Sequence, residues 1–410
     1  MNKTSFSFTI EKQLSAEKNH LARAGTIHTP HGEIATPAFI PVGTKATVKS
    51  VLPEVMKDLG ANALLANAYH LYLQPGPEII DEAGGLGKFM NWAGPTFTDS
   101  GGFQVLSLGV GYKKVIAMDP QNFETKDVIA SDKDRLAHVD DDGVNFKSHL
   151  DGSMHRFTPE FSMQVQHKIG ADIIFAFDEC TTLLNTRSYQ EKSLERTYLW
   201  AKRCIAEHEK LTIERKNKPY QALFGVIQGA QYEDLRKKAS KELAELNFDG
   251  FGIGGALDKN QLGTIVKWVN EELPASKPRH LLGIGEPEDL FVGVENGADT
   301  FDCVAASRVA RNNAVYSNAG RFNVSVSAYK KDFSPIEETC GCYTCKNYTK
   351  AYLNHLIRAK EMLASTLLTI HNEYFIVNLV SKMRQSIIDG NFNEFKNEFL
   401  GKYKFSKGDN

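Results

Sequence analysis

Three of the chain's six cysteines fall within Cys340-Gly341-Cys342-Tyr343-Thr344-Cys345, and His371 stands one helix further on. Thiolate sulfurs closed by an imidazole nitrogen form a soft donor set, which suits one structural Zn²⁺ per chain better than a hard cation. With four protein ligands, such a site leaves no position for a reacting water. The other chemically capable residues are acids: Asp99, Asp178 and Asp302 each close, follow or end a short apolar run. Carboxylates that face one another can do acid/base work. Alternatively, one can attack an anomeric carbon and form an ester while another protonates the leaving group. Gly101-Gly102 and Gly254-Gly255 would let backbone N–H groups approach a flat ligand, and Gln228 could read an amide-like edge.

These residues need elements to bring them together. Eight runs read as strands: 38–42, 63–67, 96–99, 172–177, 222–227, 250–253, 280–284 and 300–304. They lack strict alternation, as strands of a parallel sheet buried on both faces do. Helix signals fall between them. Pro159 opens one helix that Gly170 closes, Ser188 and Glu191 form a capping-box pattern before 194–205, and Pro287 starts another just after Gly285. Eight strand–helix units predict an α/β fold, a (β/α)8 TIM barrel, with residues 1–410 forming a single catalytic barrel.

In such barrels chemistry sits at the C-terminal ends of the strands. The third run ends in Asp99-Ser100-Gly101-Gly102-Phe103-Gln104, the fourth in Asp178-Glu179-Cys180, the fifth in Gln228-Gly229 and the sixth in Gly254-Gly255. The seventh ends in Gly283-Ile284-Gly285, an incomplete dinucleotide-loop pattern, and the eighth contains Asp302. A single Asp there would be an ordinary helix cap, but three at matching ends predict one convergent site.

Two regions stand apart. Residues 111–142 are too long for an ordinary βα loop and read as an insertion after the third strand. Residues 305–375 read as a zinc-binding, basic subdomain, in which Leu353, Leu356, Ile357, Leu363, Leu367 and Leu368 predict a helical stripe running into His371. The formal net charge is −2, yet 303–360 holds nine Lys/Arg against Asp332, Glu337 and Glu338. That local excess is a phosphate-binding footprint, although a solvated face accounts equally well for charge alone. The polar first nineteen residues lack a secretion-signal core, and no apolar run approaches the ~18 residues of a membrane span. Isolated Cys180, Cys204 and Cys303 fit a reducing compartment, so a cytoplasmic protein with no membrane partner is expected. The polar tail from Gly401 is expected to fray.

Motifs covering nearly the whole chain then resemble one family. Thr98-Asp-Ser-Gly-Gly-Phe-Gln104, Phe146-Lys-Ser-His-Leu-Asp-Gly-Ser153, Ala176-Phe-Asp-Glu-Cys180, Gly225-Val-Ile-Gln-Gly229, Phe301-Asp-Cys-Val304 and the Cys340/Cys342/Cys345/His371 set closely resemble the bacterial-type tRNA-guanine transglycosylases. The resemblance implies exchange of guanine at the wobble position of tRNAs with a GUN anticodon for a 7-deazaguanine base, in queuosine biosynthesis or salvage, by a homodimeric enzyme. By the same resemblance Asp302 is the nucleophile on ribose C1′ and Asp99 the general acid/base. Asp178, Gln228, the Gly255 backbone and Ser100 read the purine, Phe103 and Leu282 sandwich it, and Arg308 and Arg311 touch the anticodon loop.

The chain departs from the family pattern in three places. Ala256-Leu257-Asp258-Lys259 replaces the usual Leu-Ala-Val-Gly-Glu beside the 7-substituent, which leaves preQ1, preQ0 and queuine open, with preQ1 expected. Ala306-Ser307-Arg308 and Asn312-Asn313 replace Pro-Thr-Arg and Asn-Gly, and 111–138 has no counterpart in typical members. A non-catalytic RNA-binding relative would need neither Asp99 nor Asp302, and a paralogue acting on DNA would keep the chemistry but change the polymer. A zinc hydrolase would need an open metal position.

Overall fold

In the computed structural model, which describes residues 6–14, 21–109, 137–183, 185–215, 217–255 and 259–403, all eight expected strands form and pair in parallel. They are β1 (Ala38–Pro41), β2 (Leu64–Ala66), β3 (Thr96–Thr98), β4 (Ile173–Phe175), β5 (Ala222–Ile227), β6 (Gly250–Ile253), β7 (Arg279–Leu281) and β8 (Thr300–Cys303). Each pairs with its sequence neighbour among the eight, from β2 through to β8, and β8 pairs with β1. A parallel bridge from Val42 to Leu65 closes the ring. The chain is therefore a (β/α)8 barrel.

Alternation within these strands explains the interior. Ile40, Leu65, Phe97, Ile173, Phe175, Phe224 and Val226 pack in the barrel, whereas Phe39, Leu64, Ile174, Leu223 and Phe251 join the helix layer outside. Strand β6 places Gly250 and Gly252 among the inward rings. A Cβ at Gly250 would come within 2.5 Å of the Phe224 ring, and one at Gly252 within 2.9 Å of the Phe175 ring. The strand is bare on that face because aromatic rings from β4 and β5 fill the space.

An antiparallel sheet of Ser7–Gln13, Arg23–Thr29 and Gly32–Thr36 adds Ile27 and Ile34 to the same interior cluster and closes the strands' N-terminal end. Its signal was the turn Thr29-Pro30-His31-Gly32 between alternating segments. A second antiparallel sheet, Ala137–Val139, Val144–Lys147 and Met154–Phe157, carries the Phe146–Ser153 motif. It lies against the β3 loop, where a Cβ at Gly101 would meet the Phe157 ring at 3.1 Å. Most of the expected insertion, residues 111–136, lies outside the described residues. Its last six are tied in: Arg156 donates to both Asp140 oxygens and Trp200 Nε1 to the Asp141 carbonyl.

Several helix expectations need correction. The helix expected to start at Ser188 runs Arg187–Glu214, and its cap is Thr186, whose hydroxyl oxygen accepts from the Tyr189 N–H. The earlier start is supported by Arg187 pairing with Glu191 one turn on. The leucine stripe lies on two helices, Lys350–Arg358 and Met362–Asp389, because Lys360 sits at φ +58 between them. Leu353, Leu356, Leu367 and Leu368 are buried together with Val315, Val324 and Ile336, but Leu363 is exposed and leaves the stripe. Pro159–Ile169 ends at Gly170 in the left-handed region, and Pro287–Glu295 begins where expected. Gly401 and Lys402 remain helical and Tyr403 is buried, so the tail is ordered to that point and the rest lies outside the described residues. No helix among the described residues is long and apolar enough to cross a membrane.

Candidate active site and metal centre

The three acids come together at the C-terminal mouth of the barrel. Asp99 follows β3, and its carboxylate accepts from the Ala68 N–H at 2.8 Å, from Gln104 Nε2 at 2.7 Å and from the Asn67 side-chain amide. Burial pushes its pKa up to about 6 against the pull of those three donors, and the negative charge of Asp302 adds to the rise. Asp178, beyond β4, is buried. Its Oδ2 accepts from Gln228 Nε2 at 2.7 Å and its Oδ1 from Ser100 Oγ at 3.2 Å. Burial also lifts this acid to about 6, with the Asp99 charge contributing. Each acid thus feels the next, a pattern found where one group must hold a proton near neutral pH.

Asp302 lies on β8 with its side chain 14% exposed. The Gly283 N–H donates to its Oδ1 at 2.9 Å, and His280 Nε2 faces the same oxygen at 3.0 Å. Gly283 reaches this position in the left-handed region, at φ +74. The incomplete dinucleotide loop is therefore an anchor for a carboxylate.

On the opposite wall, Gly255 sits at φ +93, and a Cβ there would fall 2.7 Å from Gln228 Oε1. That oxygen is buried and has no hydrogen-bond partner among the described residues, so an acceptor stands ready for a ligand donor. Leu282 packs along the same wall, 3.4 Å from where a Gly254 Cβ would be. Phe103 stands 46% exposed on Gly102–Gly109 at the rim. Arg236, fully buried, ties the floor together: it donates to the carbonyls of Ala230, Ile227 and Gly254 at 2.8–2.9 Å. Ser100, Asp178, Gln228, Gly255 and Leu282 are thus brought together, with Phe103 apart on its helix, and the loop 256–258 lies outside the described residues.

Arg308 and Arg311 are exposed on the helix Ala305–Arg311 that follows β8. Lys49 is close enough that burial and then the charges of Arg311, Lys45 and Arg308 hold its pKa below the usual lysine range. Four like charges gathered there make a positive surface of the kind that attracts anions. Asn313, at φ +65, takes the left-handed position where a glycine is usual.

The cysteines and histidine form a candidate metal centre. The four donor atoms lie within 4.8 Å of one another, and His371 Nδ1 is 3.8, 3.6 and 3.3 Å from the sulfurs of Cys340, Cys342 and Cys345. Bond lengths of ~2.3 Å to sulfur and ~2.0–2.1 Å to nitrogen at tetrahedral angles give a sulfur–nitrogen separation of ~3.6 Å, so the set fits. His371 Nε2 lies 2.7 Å from the Tyr316 carbonyl, which fixes the proton there and leaves Nδ1 as the ligand. The neighbouring Asn372 accepts from the Tyr316 N–H and donates to the Ala306 and Ala314 carbonyls. The metal helix is thereby pinned to the arginine-bearing helix.

Sequence reasoning overlooked Asn67, Arg236 and His280 and gave Gln104 no role. Asn67 ends the second run and Gln104 closes the β3 motif, so position alone could have found both. His280 was visible as the one titratable residue in an apolar run.

Comparison with known proteins agrees along the chain. The model of the family described as queuine tRNA-ribosyltransferase matches residues 18–405. A queuine tRNA-ribosyltransferase of Thermoanaerobacter pseudethanolicus is 45% identical over 389 residues, covering 94% of this chain and 95% of the relative. One from Halothermothrix orenii is 45% identical over 402 residues, 97% and 98% of the two chains. One from Fusobacterium nucleatum is 44% identical over 393 residues, 95% and 97%.

Proposed function

The chain belongs to the queuine tRNA-ribosyltransferase family, and from that membership we propose that it is a tRNA-guanine(34) transglycosylase, a pentosyltransferase working through a covalent Asp302–ribose ester. The observation that carries the reading is the pairing at the barrel mouth. Asp99 has its pKa lifted to about 6, and Asp302 stands close enough to raise it. An acid poised near neutrality can give a proton to departing guanine and take one from the incoming base. Two displacements at one carbon return C1′ to its starting configuration.

Asp178 and Gln228 supply acceptors for the N–H groups of a purine edge, Ser100 and the Gly255 backbone complete the frame, and Phe103 and Leu282 offer faces for the ring. The incoming base is a 7-deazaguanine, with preQ1 expected. Arg308 and Arg311 bind the anticodon loop. The metal held by Cys340, Cys342, Cys345 and His371 is zinc in a structural role. A homodimer is supported by an exposed aromatic row on the metal module: Tyr343 is 54% and Tyr352 39% exposed, and Tyr348 stacks on Tyr352 at 5.5 Å. The test is a base-exchange assay on tRNA carrying guanine at the wobble position, offering preQ1, preQ0 and queuine in parallel. Release of guanine with uptake of one base is expected; no release with any of them would defeat the reading.

A further inference from the structure

We propose that His280 is a positioning residue for Asp302: together with the Gly283 N–H it holds Oδ1 and leaves Oδ2 as the atom that attacks. The inference rests on the reading of Asp302 as nucleophile. Strand β7 turns His280 into the barrel, where it is fully buried beside the rings of Phe97 and Phe175, with centroids at 5.5 and 5.3 Å. A polar ring so placed must find partners inside the protein. It finds Thr300 Oγ1 at 2.8 Å from Nδ1 and Asp302 Oδ1 at 3.0 Å from Nε2. A carboxylate oxygen only accepts, so Nε2 carries the proton, and the Thr300 hydroxyl can turn to donate to Nδ1. Thr300 and Asp302 are alternate residues of β8, so one strand supplies both ends of the clamp.

Both hydrogen bonds fall on Oδ1, and no donor among the described residues reaches Oδ2. In the first step Oδ2 bonds to ribose C1′, and the bond from C1′ to guanine breaks with its electron pair going to the base, which takes a proton. The carboxylate becomes a neutral ester whose carbonyl oxygen, Oδ1, still faces His280 and Gly283. In the second step the incoming base bonds to C1′ through its ring nitrogen and gives up a proton, while the Oδ2–C1′ pair returns to the carboxylate. Hydrogen bonds to an ionised oxygen are roughly twice as strong as those to a neutral one. The clamp therefore favours the free carboxylate: it keeps the ester from accumulating and helps expel Asp302 in the second step.

This makes a prediction opposite to that of simple structural damage. His280→Phe keeps a ring beside Phe97 and Phe175 but removes the N–H. Wild type and variant would be equilibrated with a guanine-34 anticodon stem-loop and excess guanine, adduct measured on denaturing gels, and the adduct then chased with preQ1. Expected are an adduct equilibrium constant raised about tenfold and a chase slowed by a similar factor, with the KM for free base unchanged. His280→Gln, which restores an N–H, should fall between the two. Should the Phe variant not fold, Thr300→Val carries the test. Without the hydroxyl to fix the tautomer, adduct should rise about threefold. Adduct at or below the wild-type level in a variant that melts normally would overturn the role of His280. Absence of adduct in the wild type would instead overturn the nucleophile reading on which it rests.

Discussion

Replacing Asp178 by Asn should stabilise the protein at neutral pH while removing its hold on the base, and the size follows from its surroundings. Burial lifts Asp178 from 3.8 to about 6, a gap of roughly two pKa units, worth about 3 kcal/mol. Because the native state binds this proton more tightly than the unfolded chain, the contribution is present in full below about pH 4 and is lost as pH rises through about 6. The amide does not titrate. Its oxygen can still accept from Gln228 Nε2, and its N–H can donate to Ser100 Oγ, so both neighbours keep a partner. Urea denaturation of both proteins across this range should show the stability of the variant, relative to wild type, growing by about 3 kcal/mol between pH ~4 and ~7.5. Affinity for guanine should fall about a hundredfold, because the charge-assisted bonds are gone. A stability difference that stays flat with pH would refute the claim that burial, rather than its two donors, controls this carboxylate.

Other tests probe the remaining parts. Asp99→Ala should abolish base exchange while leaving the metal stoichiometry at one per chain; exchange at the wild-type rate would remove its proton-transfer role. Arg308→Ala with Arg311→Ala should weaken tRNA binding and flatten the slope of log affinity against log salt by ~0.7 for each phosphate that is no longer neutralised, measured by filter binding. An unchanged slope would place the anticodon elsewhere. Stripping the metal, or Asn372→Ala, should lower tRNA affinity before it lowers affinity for the free base, since Asn372 joins the metal helix to the arginine helix. Equal weakening of both would argue that the clip supports the whole barrel.

The barrel was legible because its strands are short and apolar, because some of the helices between them start at a proline or a threonine cap, and because a parallel sheet writes burial on both faces directly into sequence. The acids were legible because barrel geometry brings every strand end to one rim. What could not be read depends on tertiary partners. Lys360 breaks the leucine stripe through a backbone angle that no periodicity encodes, and Leu363 faces solvent as a result. By type Ser188 is at least as good a cap as Thr186, yet Thr186 is the one used, with Arg187 pairing to Glu191 in the first turn. His280 opens the seventh run, and nothing local in the sequence shows what it faces. Its role depends on the register that sets it opposite Thr300 on β8, with Asp302, twenty-two residues away in sequence, as the next inward residue of that strand. The antiparallel covers at both ends of the barrel were overlooked because their pairing is local and their strands carry mixed, half-exposed residues.

The central claim is that Asp302 bonds to ribose. The most direct measurement is peptide mass spectrometry of the enzyme quenched during exchange on a guanine-34 stem-loop and digested with nuclease and protease. A ribose-containing adduct on the peptide holding Asp302, absent in Asp302→Asn, is expected; an adduct on Asp99 or Asp178, or one that survives in Asp302→Asn, would contradict the account.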